Sequence, residues 1–374
     1  VIKIIDKRDI VNILIMFVIV QVVGLLLVYA VDFTQNLPMV KEAITSPHSV
    51  YLSYALDAVL VATVVLLFLN RHGRSSRMVN SVFFKVLEAV VVISTSVFFF
   101  ISLFHIFLPE SLDSYIVIVS VGAAVILIAV KDTHRSFRNM TTMVSGIGVG
   151  IFVGLFADFK ISLIILAMVA AYDYIAVFIT KSMLKLAGII EDEDLSLVIS
   201  SSHLDVVPES DYPSKQVKGY LNYLHSIKKD KDPRVRRIIS MGELPVISQV
   251  ELGEGDLGLP LMAIVSAYLT FNNLIVPVGI LAGATAGLLA AICILCRCRR
   301  ALPAIPPLFF FIFMAATASL LISGQLQPLY EFMAEIGALA VVIFALSLQY
   351  AISHLRKCHA EEKKKTKHAR RSKK

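Results

Sequence analysis

Apolar residues fall along this chain in ten long runs separated by short charged stretches: Ile10–Val31, Val50–Leu69, Val82–Phe107, Tyr115–Val130, Met140–Ala157, Ile161–Thr180, Leu252–Phe271, Leu274–Leu295, Leu302–Ile322 and Ile336–Ile352. A bilayer core about 30 Å thick needs roughly 20 apolar residues per helix, so each run predicts a membrane-spanning helix. The first run is too long for a signal-peptide core and no small-residue cleavage site follows it; it reads as a retained helix. Within two runs small residues recur four apart, Gly146, Gly150 and Gly154 in the fifth and Gly279, Gly283 and Gly287 in the eighth. Such faces let helix backbones approach closely, which predicts compact packing there.

Composition supports the bilayer as solvent. The chain is 57% hydrophobic with a mean hydropathy of +0.78, too apolar for a soluble domain. Its net charge of +7 comes from loops and a basic tail, so it speaks for orientation and for anionic lipid as a partner, and against nucleic acid. Lys3, Lys7 and Arg8 precede the first run; Arg71, Arg74 and Arg77 follow the second; Lys131, Arg135 and Arg138 follow the fourth; Arg297, Arg299 and Arg300 follow the eighth. All of these fall on one side. The positive-inside rule then places both termini and the loop Lys181–Glu251 in the cytoplasm. That loop is rich in charges, prolines and serines and reads as a mobile connector. Cys293, Cys296, Cys298 and Cys358 lack the paired spacing and histidines of a zinc site and read as juxtamembrane thiols.

An acid deep in a spanning helix is costly and is a functional candidate by default. Glu88 has Lys85 one turn away, and an internal ion pair accounts for it. Asp57 lies near a helix end beside Tyr51 and Tyr54, where interfacial water accounts for it. Asp173 is eight residues (181 − 173) before Lys181, roughly 12 Å deep at the helical rise. Asp256 lies just inside the next spanning run, which begins from the same side. Two carboxylates that meet in a low-dielectric site cannot both ionise. One keeps a proton while the other activates water, which is aspartic-protease chemistry.

The residues around both acids sharpen the reading. Tyr172 precedes Asp173; Gly253, Glu254 and Gly255 precede Asp256; and Pro303, Ala304, Ile305 and Pro306 open the ninth run. In order and helix position these resemble the Tyr-Asp, Gly-x-Gly-Asp and Pro-Ala-Leu-Pro motifs of the presenilin and signal peptide peptidase family of intramembrane aspartyl proteases, closest in character to its archaeal members. The resemblance extends from the first run to about Ile322, with Ile305 in place of the motif's leucine. It implies an all-α polytopic membrane protein, a presenilin-like nine-helix bundle with a tenth C-terminal helix added. It also implies catalysis by Asp173 and Asp256, with Tyr172, Gly253, Gly255, Pro303, Ala304, Ile305 and Pro306 binding substrate or shaping the site.

The chain divides accordingly into a six-helix part (1–180), a cytoplasmic connector (181–251), a catalytic part (252–323), an extra helix (324–353) and a basic tail (354–374). Substrates are the transmembrane helices of other proteins, no cofactor is needed, and the location implied is the plasma membrane of a prokaryote. No accessory subunit is named by the sequence.

Physical roles accompany the motifs. Glycines beside Asp256 loosen the helix start and leave room for a substrate backbone. Prolines of the ninth run leave carbonyls without helical donors beside the site; read alone, they mark a plain helix start. Pro245–Leu252 reads either as a strand able to pair with an unwound substrate or as a re-entrant apolar segment, and the resemblance favours the strand. The middle of the connector, Ser200 to Lys229, is expected to matter less than this last stretch. The zinc motif His-Glu-x-x-His is absent, and Ser145 and Ser323, though each precedes a glycine, lack a nucleophile's context. The alternative from another class is a cation transporter or channel using the same two acids.

Overall fold

A computed structural model describes residues 7–31, 77–108, 113–131, 133–178, 198–208, 217, 221, 233–298, 304–325, 337, 341 and 345. The second run (Val50–Leu69), all but three residues of the tenth (Ile336–Ile352), Asp57, Pro303 and the basic tail lie outside the described residues. In chain order the elements are α1 (Lys7–Val31), α2 (Arg77–Phe107), α3 (Asp113–Val130), α4 (Arg135–Phe156), α5 (Phe159–Phe178), β1 (Val198–Pro208), α6 (Pro233–Ser240), β2 (Glu243–Gly253), α7 (Glu254–Phe271), α8 (Ile275–Cys298) and α9 (Ile305–Ile322). Six of these helices, α1, α2, α4, α5, α8 and α9, hold stretches long and apolar enough to cross a membrane. The fold is that of an all-α polytopic membrane protein, with one small antiparallel ribbon among the described residues.

Each described helix overlaps a run read from hydropathy, except α6, which is short and basic. The outward faces remain apolar: Val117, Ile118 and Ile126 of α3 and Leu26 and Tyr29 of α1 are more than half exposed, as suits surfaces that meet lipid. α7 is the exception. Twelve of its eighteen residues are buried, and it packs against α1, α4, α5 and α8. A helix wrapped by protein need not be lipid-soluble along its length, so it can carry Glu254, Asp256 and Pro260.

The glycine faces pack as their spacing predicts. Leu257, Leu261 and Val265 of α7 project, one turn apart, onto Gly146, Gly150 and Gly154 of α4. A methyl group added at Gly150 would lie 2.6 Å from the Leu261 Cβ, and at Gly154 2.7 Å from the Val265 Cβ. On α8, a methyl at Gly283 would lie 2.6 Å from the Phe311 carbonyl of α9, and at Gly287 2.8 Å from the Leu308 Cα. Gly150→Ala is therefore expected to cost about 1–3 kcal/mol by forcing α4 and α7 apart. Gly122→Ala on α3, where a methyl meets no atom within 4 Å, should be neutral or stabilising by up to about 1 kcal/mol. Thermal unfolding of the two variants in one detergent checks this; equal midpoints would mean that the α4–α7 seam yields freely.

Two expectations need correction. The connector contains paired strands: β1 and β2 run antiparallel over eleven residues, from Val198↔Gly253 to Pro208↔Glu243. β2 contains the predicted strand Pro245–Leu252. Its partner β1, however, lies partly inside the Ser200 to Lys229 region expected to be dispensable. The serine-rich stretch Ser200–Ser202 concealed it, because Ser200 and Ser201 are buried and bonded to helices rather than facing water. Ser201 Oγ donates to buried Asp9 at 2.7 Å and accepts from Asn12 at 3.3 Å. Asn139 closes a two-way bond with the Ser200 backbone, its Nδ2 donating to the carbonyl at 2.9 Å and its Oδ1 accepting from the N–H at 3.0 Å. The ribbon is thus pinned to the N-terminal ends of α1 and α4. Glu88 is the second correction: its partner is Lys131, beyond α3, at 2.6 Å, rather than Lys85, so the ion pair ties α2 to α3.

Candidate active site

Asp173 lies in the last turns of α5 and is 6% exposed. Its Oδ2 accepts the backbone N–H of Ile305 at 3.3 Å, and the Ala304 backbone also faces it. Ala304 is the N-cap of α9 and Ile305 its first residue. A helix start normally presents several free N–H groups. Here Pro306 and Pro307 occupy the second and third positions and have none, so Ala304 and Ile305 are the donors left at the helix tip. The carboxylate of Asp173 caps α9 from another helix, and the positive end of the α9 dipole faces it. The proline motif therefore offers the acid an amide donor, rather than the freed carbonyls expected from sequence; prolines at a helix start displace no internal bond.

Asp256 is the third residue of α7, with Gly253 as N-cap in extended conformation (φ −68°, ψ 152°). The Gly253 N–H, the last of β2, donates to Asp256 Oδ2 at 3.3 Å. The glycines do not unwind the start of α7, because the chain passes from β2 into helix at Glu254 without a break. Gly255 instead leaves space: a methyl there would meet no atom within 4 Å. Asp173 and Asp256 lie within electrostatic reach of each other. Each carboxylate is thus held by backbone N–H at a helix start, and the two helix tips, of α7 and α9, converge on the pair.

Of the residues singled out from sequence, Asp173, Asp256, Gly253, Gly255, Ala304 and Ile305 come together here. Pro306 is buried at the α9 tip. Tyr172 is 58% exposed and stands on the flank of α5, outside the cluster. Sequence reasoning missed Glu254, 8% exposed, whose Oε1 accepts the Ser145 hydroxyl of α4. It also missed Gln21 of α1, fully buried, whose Nε2 donates to the Leu257 carbonyl of α7 at 2.9 Å. A glutamine inside a spanning run was the available signal for the second.

The family model described as signal-peptide peptidase, presenilin aspartyl protease matches residues 14–324, which include both acids and all three motifs. No curated protein matches the sequence. A solved structure described as a presenilin family intramembrane aspartate protease, in a C222 crystal form, is 18% identical to this chain. It aligns over 83% of this chain and 96% of its own, with a TM-score of 0.44.

Proposed function

We propose that this chain, which belongs to the signal-peptide peptidase and presenilin family of aspartyl proteases, hydrolyses peptide bonds within transmembrane helices of other proteins, using Asp173 and Asp256 as its catalytic pair. The observation that carries the reading is the convergence of the two acids, each held by a backbone N–H at a helix start.

Two carboxyl groups sharing one proton divide the work. The ionised one takes a proton from water as its oxygen attacks the scissile carbonyl. The protonated one hydrogen-bonds that carbonyl and stabilises the developing oxyanion, and the leaving amine is protonated as the tetrahedral intermediate collapses. The bonds from Gly253 and Ile305 hold each carboxylate while its other oxygen acts. A spanning substrate hides its peptide bonds in its own helix and must first unwind, leaving backbone groups that need partners. β2 ends at Gly253, three residues before Asp256, so a substrate strand added to the ribbon is delivered to the acids.

Orientation follows from the basic loops: with the N-terminus in the cytoplasm, α5 descends towards it and α7 rises from it. This matches presenilin rather than signal peptide peptidase. Substrates with an outside N-terminus are then preferred and cut nearer their cytoplasmic end, and the membrane is a prokaryotic plasma membrane. The family match gives the transporter reading no support.

The test is cleavage of a reporter transmembrane peptide by the purified protein in lipid, followed across pH. A bell-shaped profile is expected, its two limits belonging to the coupled pair. A rate flat from acid to alkaline pH would remove the dyad.

A further inference from the structure

Glu254 stands between the two glycines before Asp256, yet its side chain turns away from the catalytic pair. Residues two apart on a helix differ by about 200°, so Glu254 and Asp256 leave the first turn of α7 on opposite sides. Asp256 faces Asp173 on α5. Glu254 continues, one turn earlier, the stripe of Leu257, Leu261 and Val265 that packs into the α4 glycines. There its carboxylate accepts the Ser145 hydroxyl, itself fully buried. The Ser145 hydroxyl also hydrogen-bonds the Thr95 hydroxyl of α2, which in turn reaches the Val91 carbonyl of its own helix at 2.8 Å. Thr95, Ser145 and Glu254 thus form a hydrogen-bonded cluster that joins α2, α4 and α7. Glu88, the other acid that faces Glu254, is occupied by Lys131 at 2.6 Å.

A stripe of leucines on glycines sets how closely α4 and α7 approach, but such contacts are non-directional. At the open end of the seam, where α7 begins, the side of Gly255 that a side chain would occupy faces open space. A buried hydrogen bond there is directional and fixes the rotation of the turn. We propose that Glu254, held by Ser145, is a positioning residue that sets the angle at which Asp256 meets Asp173. This rests on the catalytic reading above, and it goes beyond that reading by assigning a role to a third intramembrane acid.

The test uses the full-length protein in lipid, with Asp256→Asn as the separate check on the catalytic reading. Glu254→Ala and Ser145→Ala are each expected to lower kcat roughly 10- to 100-fold with KM within about twofold, since a misplacement near 1 Å costs about that much. The double variant should be no slower than Glu254→Ala alone, because both remove one bond. Glu254→Gln keeps an acceptor for Ser145 and should retain most of the wild-type kcat.

A second measurement does not depend on proteolysis: a nitroxide on Gly255→Cys, in a cysteine-free background, should gain mobility with Glu254→Ala and not with Glu254→Gln. Wild-type kcat in Glu254→Ala, or label mobility unchanged by it, would overturn the proposal. So would a Glu254→Gln variant as slow as Glu254→Ala, since charge rather than the bond would then be what counts. An active Asp256→Asn would instead overturn the catalytic reading, while leaving the mobility result to decide the pin.

Discussion

Asp256→Asn and Asp173→Asn are each expected to reduce cleavage of a reporter transmembrane peptide by at least about a thousandfold, the scale seen when one member of a catalytic unit is lost. An amide oxygen still accepts a backbone N–H, so the bonds from Gly253 and Ile305 survive and both variants should stay folded. What is lost is the exchangeable proton. The alanine variants separate chemistry from architecture. Asp173→Ala also uncaps α9 and should cost about 0.5–2 kcal/mol of stability, the range for a lost cap. Asp256→Ala releases only the Gly253 N–H beside it. Product formation and thermal unfolding, measured on all four proteins, check both claims; residual activity above a few per cent in either asparagine variant would take that residue out of the dyad.

The second large effect concerns the ribbon. Asn139 engages both backbone groups of Ser200, so these point away from β2, and Ser200↔Glu251 is a pair without ladder bonds. Antiparallel pairs alternate, so the neighbouring pair Ser201↔Val250 exchanges them. Val250→Pro removes a ladder donor at a buried position and leaves the Ser201 carbonyl without its partner, at about 1–3 kcal/mol. With β2 displaced just before Asp256, cleavage should fall about a hundredfold. Gln249→Pro takes a donor from the opposite edge of β2, where proline is tolerated in a strand. If substrate pairs along that edge, Gln249→Pro should keep wild-type stability and still lose turnover. Full activity in Gln249→Pro would place the substrate elsewhere; full activity in Val250→Pro would make the ribbon irrelevant to catalysis.

The legible parts of this protein were those where one physical requirement dominates a long stretch. Twenty apolar residues leave little choice but a spanning helix, glycines four apart mark a close seam, and an acid beyond the reach of interfacial water needs a reason to be there. The partnerships were not legible. Nothing around Asp9, beside Arg8 in a basic flank, indicates that it folds under β1, and Ser200–Ser202 reads as loop because serine does not reveal which groups it will bond. Ser145 precedes a glycine in a small-residue run, and its bond to Glu254 depends on α4 and α7 being side by side. Proline was legible as a helix start but not as the device that leaves Ala304 and Ile305 as the donors for Asp173. Such pairings are settled by which helices become neighbours, a property of the assembled bundle rather than of any window of sequence.

The two glycine seams have a mechanical consequence for the acids. One seam makes α4 and α7 a stiff plate that carries Asp256; the other makes α8 and α9 a second plate, to whose tip Asp173 is fastened through Ile305. The gap between the carboxyl groups is then set by the offset of one plate against the other, as a caliper's opening is set by its jaws and not by their thickness. Substitutions along the α7–α8 contact that slide the plates should alter turnover while leaving both seams, and thermal stability, nearly unchanged.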